Sequence, residues 1–390
     1  MIQSIKKKED DLYINTKTRT GCVAFVYLII LLLQFSSVAC APKTTNISDE
    51  VKQSIEERIK NGQGVGLVVG FIDPRGNREY LSCGTMAKNG EEPVDENSVY
   101  EIGSITKVFT GIALADMVLK GVVKLEDPAE KYLPETVKMP SRNGDKITLE
   151  HLATHNSALP RMPFNFRPKN PENPYADYTV KNMYDFLSAY NLQRDIGEKY
   201  EYSNLGMGLL GHILSLKAGM GYEKLIIGRI SRVLGMEDTR IAFNDDMKKR
   251  LARGHNPARE VPNWDIPTLA GAGALRSTAS DMLTFLGANM GLEPSPLLPA
   301  MEMAHEARVD AGNNMKVGFG WHIRDNQKTQ IIWHNGGTGG YRSFCGFIKD
   351  KKIGVVVLSN MNVGADDIGF HLLDSSYELK KTKETEKRMP

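Results

Sequence analysis

Cysteine is scarce in this chain, with four residues in 390. A disulfide-stapled scaffold is thereby excluded. Neither charge sign dominates. Forty-nine Lys and Arg stand against 47 Asp and Glu, a formal charge of +2, and no long single-sign run occurs. Phosphate recognition needs a local surplus of basic residues, so nucleic acid is not an expected partner. The apolar runs stay short of the roughly 20 residues that cross a bilayer, which excludes a polytopic membrane protein. What remains is 41% hydrophobic and 25% charged residues, the balance of a globular protein long enough for a well-buried core.

The first forty residues depart from that average. Lys6, Lys7, Lys8, Lys17 and Arg19 precede an apolar run from Cys22 to Leu33, and a small, polar stretch follows to Ala41. This order is that of a secretory signal, with Ser37 and Ala39 suited to cleavage before Cys40. A Cys at that junction also resembles the lipobox of bacterial lipoproteins, although Ser37 stands where Leu is usual. Plain cleavage, lipidation of Cys40 and an uncleaved anchor all fit, and the last two would attach the chain to a membrane. Residues 1–40 are therefore expected to direct export to the periplasm or cell envelope. Cys83 and Cys345 would then remain in the mature chain. An oxidising compartment would permit a bridge, but two buried strand cysteines are the simpler expectation.

Ser48-Asp49-Glu50 opens a helix that stops at Asn61-Gly62. Strands are predicted over 65–72 and 77–83, joined by the turn Asp73-Pro74-Arg75-Gly76. Helices follow over about 104–120, 148–154, 179–190, 204–218, 221–234 and 278–290. Pro160 to Pro174 carries five prolines and reads as a long irregular loop of the kind that lines sites. Strands return at Trp321–Ile323, Gln330–Trp333, Ser343–Lys349 and Ile353–Ser359, and a closing helix is expected from Ala365 to Leu379. The fold class is therefore α+β: one antiparallel sheet assembled from both ends of the mature chain, with a mostly helical region inserted. Residues 41–390 are expected to form a single domain. Its sheet part covers about 48–103 and 315–378, and its helical part about 104–310.

Three short motifs could carry chemistry. Ser104 and Lys107 stand at i, i+3 and share a helix face, so an amine can reach the hydroxyl. Ser104 sits where the helix begins, and the dipole there favours a developing anion. A buried Lys can lose its proton and serve as a base. By itself Ser-x-x-Lys is common, and Ser4 and Lys7 match it too. Tyr202-Ser203-Asn204 leads into a helix. A phenol beside a cation can fall in pKa and act as base and then acid, while an Asn amide can hold the Lys and a substrate carbonyl. An Asn helix cap and a half-buried aromatic would serve equally well structurally. His334-Asn335-Gly336-Gly337 ends a strand where glycines admit close approach of a ligand to the backbone.

In order and spacing the three together resemble the penicillin-recognising serine hydrolases, the superfamily of class C β-lactamases, D-alanyl-D-alanine carboxypeptidases and esterase relatives. The signature is Ser-x-x-Lys, Tyr-x-Asn, then Lys/His-x-Gly. Ile147–Pro160, Tyr200–Leu214, Leu269–Phe285 and Val317–Trp321 are similar to the family's intervening text, so the likeness spans about residues 48–378. It implies a β-lactamase-like fold and an acyl-enzyme formed on Ser104. Lys107 would activate Ser104, and Tyr202 would shuttle its proton to the leaving amine. Asn204 would orient Lys107 and the acyl side chain, with His334 in the third motif beside Gly336. The backbone N–H groups of Ser104 and Gly337 would form the oxyanion hole. No metal or organic cofactor is implied, and the substrate would be a β-lactam or a D-alanyl cell-wall peptide. A carboxylesterase of the same superfamily, or a penicillin-binding protein that acylates with little turnover, are the alternatives. His334 replaces the Lys usual in class C β-lactamases, so recognition of a substrate carboxylate is expected to be weaker or pH-dependent. Ala158 replaces the usual Gly with no evident chemical meaning.

Other patterns imply less. His151 and His155 have the spacing of a zinc helix but lack the Glu that would act as base. Gly62-x-Gly64-x-Gly66 precedes its strand, the wrong order for a dinucleotide loop. The Gly/Ala run at 270–274 suits close packing near a site.

Overall fold

The structure, a computed structural model, describes residues 45–326 and 329–381. The predicted export signal, with Cys22, Cys40 and the Ser4/Lys7 pair, lies outside the described residues.

Helix α1 (Asp49–Lys60) begins where Ser48 Oγ accepts from Val51 N, with Asp49 and Glu50 at its positive end. Strands β1 (Gly66–Ile72) and β2 (Arg78–Gly84) form the expected hairpin. Its turn is tied by Asp73 Oδ1, which accepts from the backbone N–H of Arg75 and Asn77. Helix α2 (Thr106–Leu119) is apolar on every side and twelve of its fourteen residues are buried, so it runs through the core rather than over it. Phe109 of α2 stacks on Phe285 at 4.3 Å between ring centroids, and each such fully buried ring contributes about 2 kcal/mol.

The helical region continues with α3 (Leu149–Ala153), α4 (Val180–Ala189), α5 (Asn204–Ala218), α6 (Ala279–Asn289) and α7 (Leu298–His305). The chain then returns to the sheet as β3 (Val309–Gly312), β4 (Met315–Val317), β5 (His322–Asp325), β6 (Gln330–Gly337), β7 (Arg342–Ile348) and β8 (Ile353–Ser359), and α8 (Asp366–Leu373) follows.

These strands form one eight-stranded antiparallel sheet in the order β2-β1-β8-β7-β6-β5-β4-β3. Side chains alternate between its faces. Val68 and Ile72 join Val356, Leu358 and Phe347 in the core shared with the helical region. Leu67, Val69 and Phe71 join Trp333, Phe344 and Val357 beneath α1 and α8. On that second face Arg58 and Asp367 form a buried ion pair between the two terminal helices. The α+β architecture matches the sequence expectation, with the sheet drawn from both ends of the described chain.

Three details differ. The β3–β4 hairpin and α7 were not anticipated; the hairpin's VDAGNNMKV is polar and carries no strand period. Its turn is written instead in Asn313 and Asn314, both at positive φ, a backbone Asn tolerates better than most residues. The closing helix stops at Leu373, because Asp374 turns its carboxylate onto Ser376 N at 3.0 Å. Cys83 and Cys345 are free strand thiols on opposite faces of the sheet, as the simpler expectation had it, but only Cys345 is buried and Cys83 is half-buried.

Candidate active site

Ser104 lies on a tight turn, Gly103–Ile105, immediately before α2. The turn is wedged against the end of β6. A side chain on Gly336 would place its Cβ 2.0 Å from Ile102 O, and one on Gly103 would come within 2.7 Å of Gly337 N. Gly103 also has φ +50°. Glycine is therefore required at both positions for the serine turn and the strand to meet. Ser343 Oγ donates to Ile102 O at 2.8 Å and fastens the turn to β7.

Lys107 is fully buried, one turn along. Its Nζ lies 3.0 Å from Ser104 Oγ and donates to Ala272 O at 2.6 Å. The Gly/Ala run at 270–274 thus has a specific role. Its small residues let the backbone come close enough to take the amine, with Gly271 against Gly211 of α5. Burial pushes the Lys107 pKa well below the usual 10.5, and the nearby Arg161 guanidinium pushes it further down. The amine is consequently available as a neutral base.

Tyr202 stands 4.8 Å below the same amine, measured to its ring centroid. The sequence suggested a phenol lowered by a neighbouring cation, but its surroundings impose the opposite direction. Burial raises the Tyr202 pKa, and the opposing effects of the Ser104 hydroxyl bond and Arg161 are smaller. A neutral Lys107 offers it no full charge. Tyr202 is held as a protonated phenol, a proton donor at rest.

The Tyr202-Ser203-Asn204 segment is fixed by the loop from His155 to Arg161. Glu201 N donates to His155 O, Ser203 N to His155 Nδ1, Ser203 Oγ to Pro160 O and Asn204 N to Arg161 O. His155 therefore keeps its proton on Nε2, and its ring stacks on Tyr202 at 4.7 Å. His151 instead caps α3, its Nδ1 accepting from Thr148 N, so these histidines do not share a metal-binding face. Among the described residues no group of three or more His, Cys, Asp or Glu is arranged to hold a metal.

The loop also explains Ala158. It is buried at φ +61°, the left-handed region in which glycine is unstrained. The departure that had no chemical meaning has a conformational one.

Asn204 faces the cavity beside Ser104, but Lys107 is not its partner. Its Nδ2 reaches Tyr175 Oη at 3.4 Å and Met162 Sδ at 3.7 Å, and its buried Oδ1 has no partner among the described residues. The lysine is oriented by Ala272 O instead.

His334 lies inside the protein, behind the cavity wall. Its Nδ1 donates to Asn335 O at 2.5 Å, which leaves Nε2 as a buried lone pair. Its ring stacks on His322 at 4.8 Å. Burial holds its pKa well below 6.5. His334 therefore stays neutral throughout the physiological range, and the pH dependence expected of it does not arise.

Two connected hollows open on Ser104. The smaller, of about 130 Å³, is walled by Tyr175, Asn204, Trp264 and Gly273. The larger, of about 530 Å³, is bounded by Tyr200, His322, Asn335, Arg342 and Asp366. Trp264 is set in place by the buried Glu101–Arg276 pair, which takes its backbone N–H and C=O respectively. Arg161, Trp264, Gly337 and Thr338 line both hollows. Arg161 and Tyr175 bracket the proline-rich stretch, the one sequence signal that pointed to them. His322, Arg342 and Trp264 had none, because only the sheet and the Glu101–Arg276 pair carry them to Ser104.

A family model described as Beta-lactamase matches residues 51–373. The D-alanyl-D-alanine-carboxypeptidase/endopeptidase AmpH of Escherichia coli (strain K12) is 29% identical over 374 residues, covering 86% of this chain and 95% of that protein. A protein named Beta-lactamase from Pseudomonas fluorescens is 27% identical over 356 residues, covering 82% of this chain and 94% of that protein. Among solved structures, a class C beta lactamase from Rhodobacter sphaeroides is similar with a TM-score of 0.74 at 23% identity, covering 84% of this chain and 99% of that one. With the family model matched over most of its length, and with Ser104 paired to a buried Lys107 at the centre of a fold of this kind, the chain belongs to the β-lactamase family.

Proposed function

We propose that the protein is a serine hydrolase that opens the amide bond of a β-lactam or a D-alanyl peptide through an acyl-enzyme on Ser104. One observation carries the reading: a fully buried lysine, its pKa pushed well down by burial, stands 3.0 Å from a serine hydroxyl that opens on a cavity.

Lys107 takes the Ser104 proton as Oγ bonds to the substrate carbonyl carbon. The resulting oxyanion is met by the N–H groups of Ser104 and Gly337, beside which the glycine contacts leave no room for side chains. As the C–N bond breaks, Tyr202 gives its proton to the leaving nitrogen and recovers one from the Lys107 ammonium. Water then adds to the ester carbon and gives a proton to Lys107, which returns it to Ser104 Oγ as the Ser104–acyl bond breaks and the acid leaves. A protonated resting phenol suits this division of labour, with Lys107 as base and Tyr202 as acid.

The test offers the protein a chromogenic cephalosporin, a D-alanyl-D-alanine peptide and a p-nitrophenyl ester, beside Ser104→Ala. Turnover of an amide substrate with a loss of at least ~10³-fold in the variant is expected. Faster turnover of the ester than of either amide would move the protein to the esterase branch. Full activity of Ser104→Ala would reject the nucleophile.

A further inference from the structure

We propose that Arg161 is the anion anchor of this site, selecting substrates that carry a carboxylate close to the scissile amide. The inference rests on the acyl-enzyme reading above and adds to it the charge of the substrate.

The third-motif position cannot supply that charge. His334 is buried behind the wall, lines neither hollow and stays neutral. Two other cations do line the cavity, and they differ in how far they are already satisfied. Arg342 donates Nη1 to Thr338 O at 3.1 Å and to Tyr341 O at 2.9 Å, and it lies in the field of Asp366 at the far end of the larger hollow. Asp366 is itself bonded by Asn335 Nδ2 at 2.7 Å. That end of the site is therefore internally compensated.

Arg161 has no such partner. Its guanidinium is exposed, lines both hollows and lies 4.9 Å above the Tyr202 ring centroid. No carboxylate pairs with it, and its side chain forms no hydrogen bond among the described residues. Its backbone O accepts from Asn204 N at 3.0 Å, so the arginine is tied to the catalytic segment while its head stays free. A planar guanidinium resting on an aromatic face is partly pre-ordered, with its donors left open to a two-toothed contact with a carboxylate. It stands where the two hollows meet beside Ser104, the position for a carboxylate a few bonds from the reacting carbonyl. A β-lactam acid and a peptide with a free C-terminal carboxylate both meet that description.

The test separates binding from turnover. Calorimetry on the Ser104→Ala protein compares benzylpenicillin with its methyl ester, which differs only in lacking the charge. The acid should bind at least ~10-fold tighter, within the range of a charge-assisted pair. In Ser104→Ala/Arg161→Gln that ratio should fall to about one, and Arg161→Lys should restore part of it. An acid/ester ratio near one in the parent protein, no binding of either compound, or a ratio that survives Arg161→Gln and vanishes in Arg342→Gln would each overturn the assignment. Turnover by the unaltered protein reports on the acyl-enzyme reading independently, so the two proposals fail by different measurements.

Discussion

Replacing Lys107 by methionine separates what this amine does for chemistry from what it costs the fold. The side chain is fully buried, and among the described residues its hydrogen-bonding neighbours are Ser104 Oγ and Ala272 O. An amine titrating at the ordinary 10.5 would be neutral in roughly one molecule in 3,000 at pH 7. The lowered pKa raises that fraction, and loss of a positioned general base costs 10²–10⁴-fold. Lys107→Met is therefore expected to lower kcat/KM by about 10³-fold on whichever amide the protein hydrolyses. Stability should move the other way. The variant leaves Ala272 O unpaired, which costs about 1 kcal/mol, but it buries a side chain with no charged form to suppress. The sign with pH follows from proton counts. Between its lowered folded pKa and 10.5 the unfolded chain holds the Lys107 proton and the folded chain does not. Native stability therefore rises with pH in that window, by up to about 1.4 kcal/mol per pH unit, and is lost as pH falls. The methionine variant lacks this dependence. Guanidinium unfolding of both proteins from pH 7 to 10, beside a chromogenic cephalosporin assay, reads both effects. Activity within tenfold of the parent, or a stability difference that stays flat with pH, would refute a neutral buried base.

Two further substitutions test the backbone around the site. Ala158→Gly should raise stability by about 0.5–1 kcal/mol, the relief of a left-handed alanine less the added freedom of the unfolded glycine; a lowered melting temperature would contradict it. Gly336→Ala would drive a methyl group to 2.0 Å from Ile102 O. It should cost at least ~2 kcal/mol and abolish turnover by displacing the Ser104 turn; a variant of unchanged thermal midpoint and activity would show that strand and turn are not wedged.

How much of this was legible in the sequence depends on how local each signal is. The α1 cap, the β1–β2 hairpin and the apolar α2 are written in neighbouring residues, and they stand within a residue or two of their expected places. Ser104 and Lys107 meet because i, i+3 spacing on one helix guarantees it. The β3–β4 hairpin was hidden because it closes the sheet edge, where no apolar period is needed. Arg161, Trp264, His322 and Arg342 come from four separate segments, and only tertiary structure brings them to one cavity.

The two motifs read least well are those whose meaning depends on burial. A histidine in place of a lysine, judged by type alone, looks like a weakened cation whose charge should follow pH. The structure removes the charge, because His334 is enclosed by His322, Asn335 and Tyr202 and faces no acid among the described residues. The same enclosure reverses the expectation for Tyr202. A neighbouring cation was expected to lower its pKa, yet burial pushes the Lys107 pKa down and that of the phenol up. Both revisions have one cause. A low-dielectric interior acts on every titratable group placed in it, so a catalytic lysine made neutral by burial cannot also lower the pKa of the tyrosine beside it. Base and acid are thereby assigned by one desolvated pocket, with no charge inside it, and the remaining unpaired cation, Arg161, stands at its mouth.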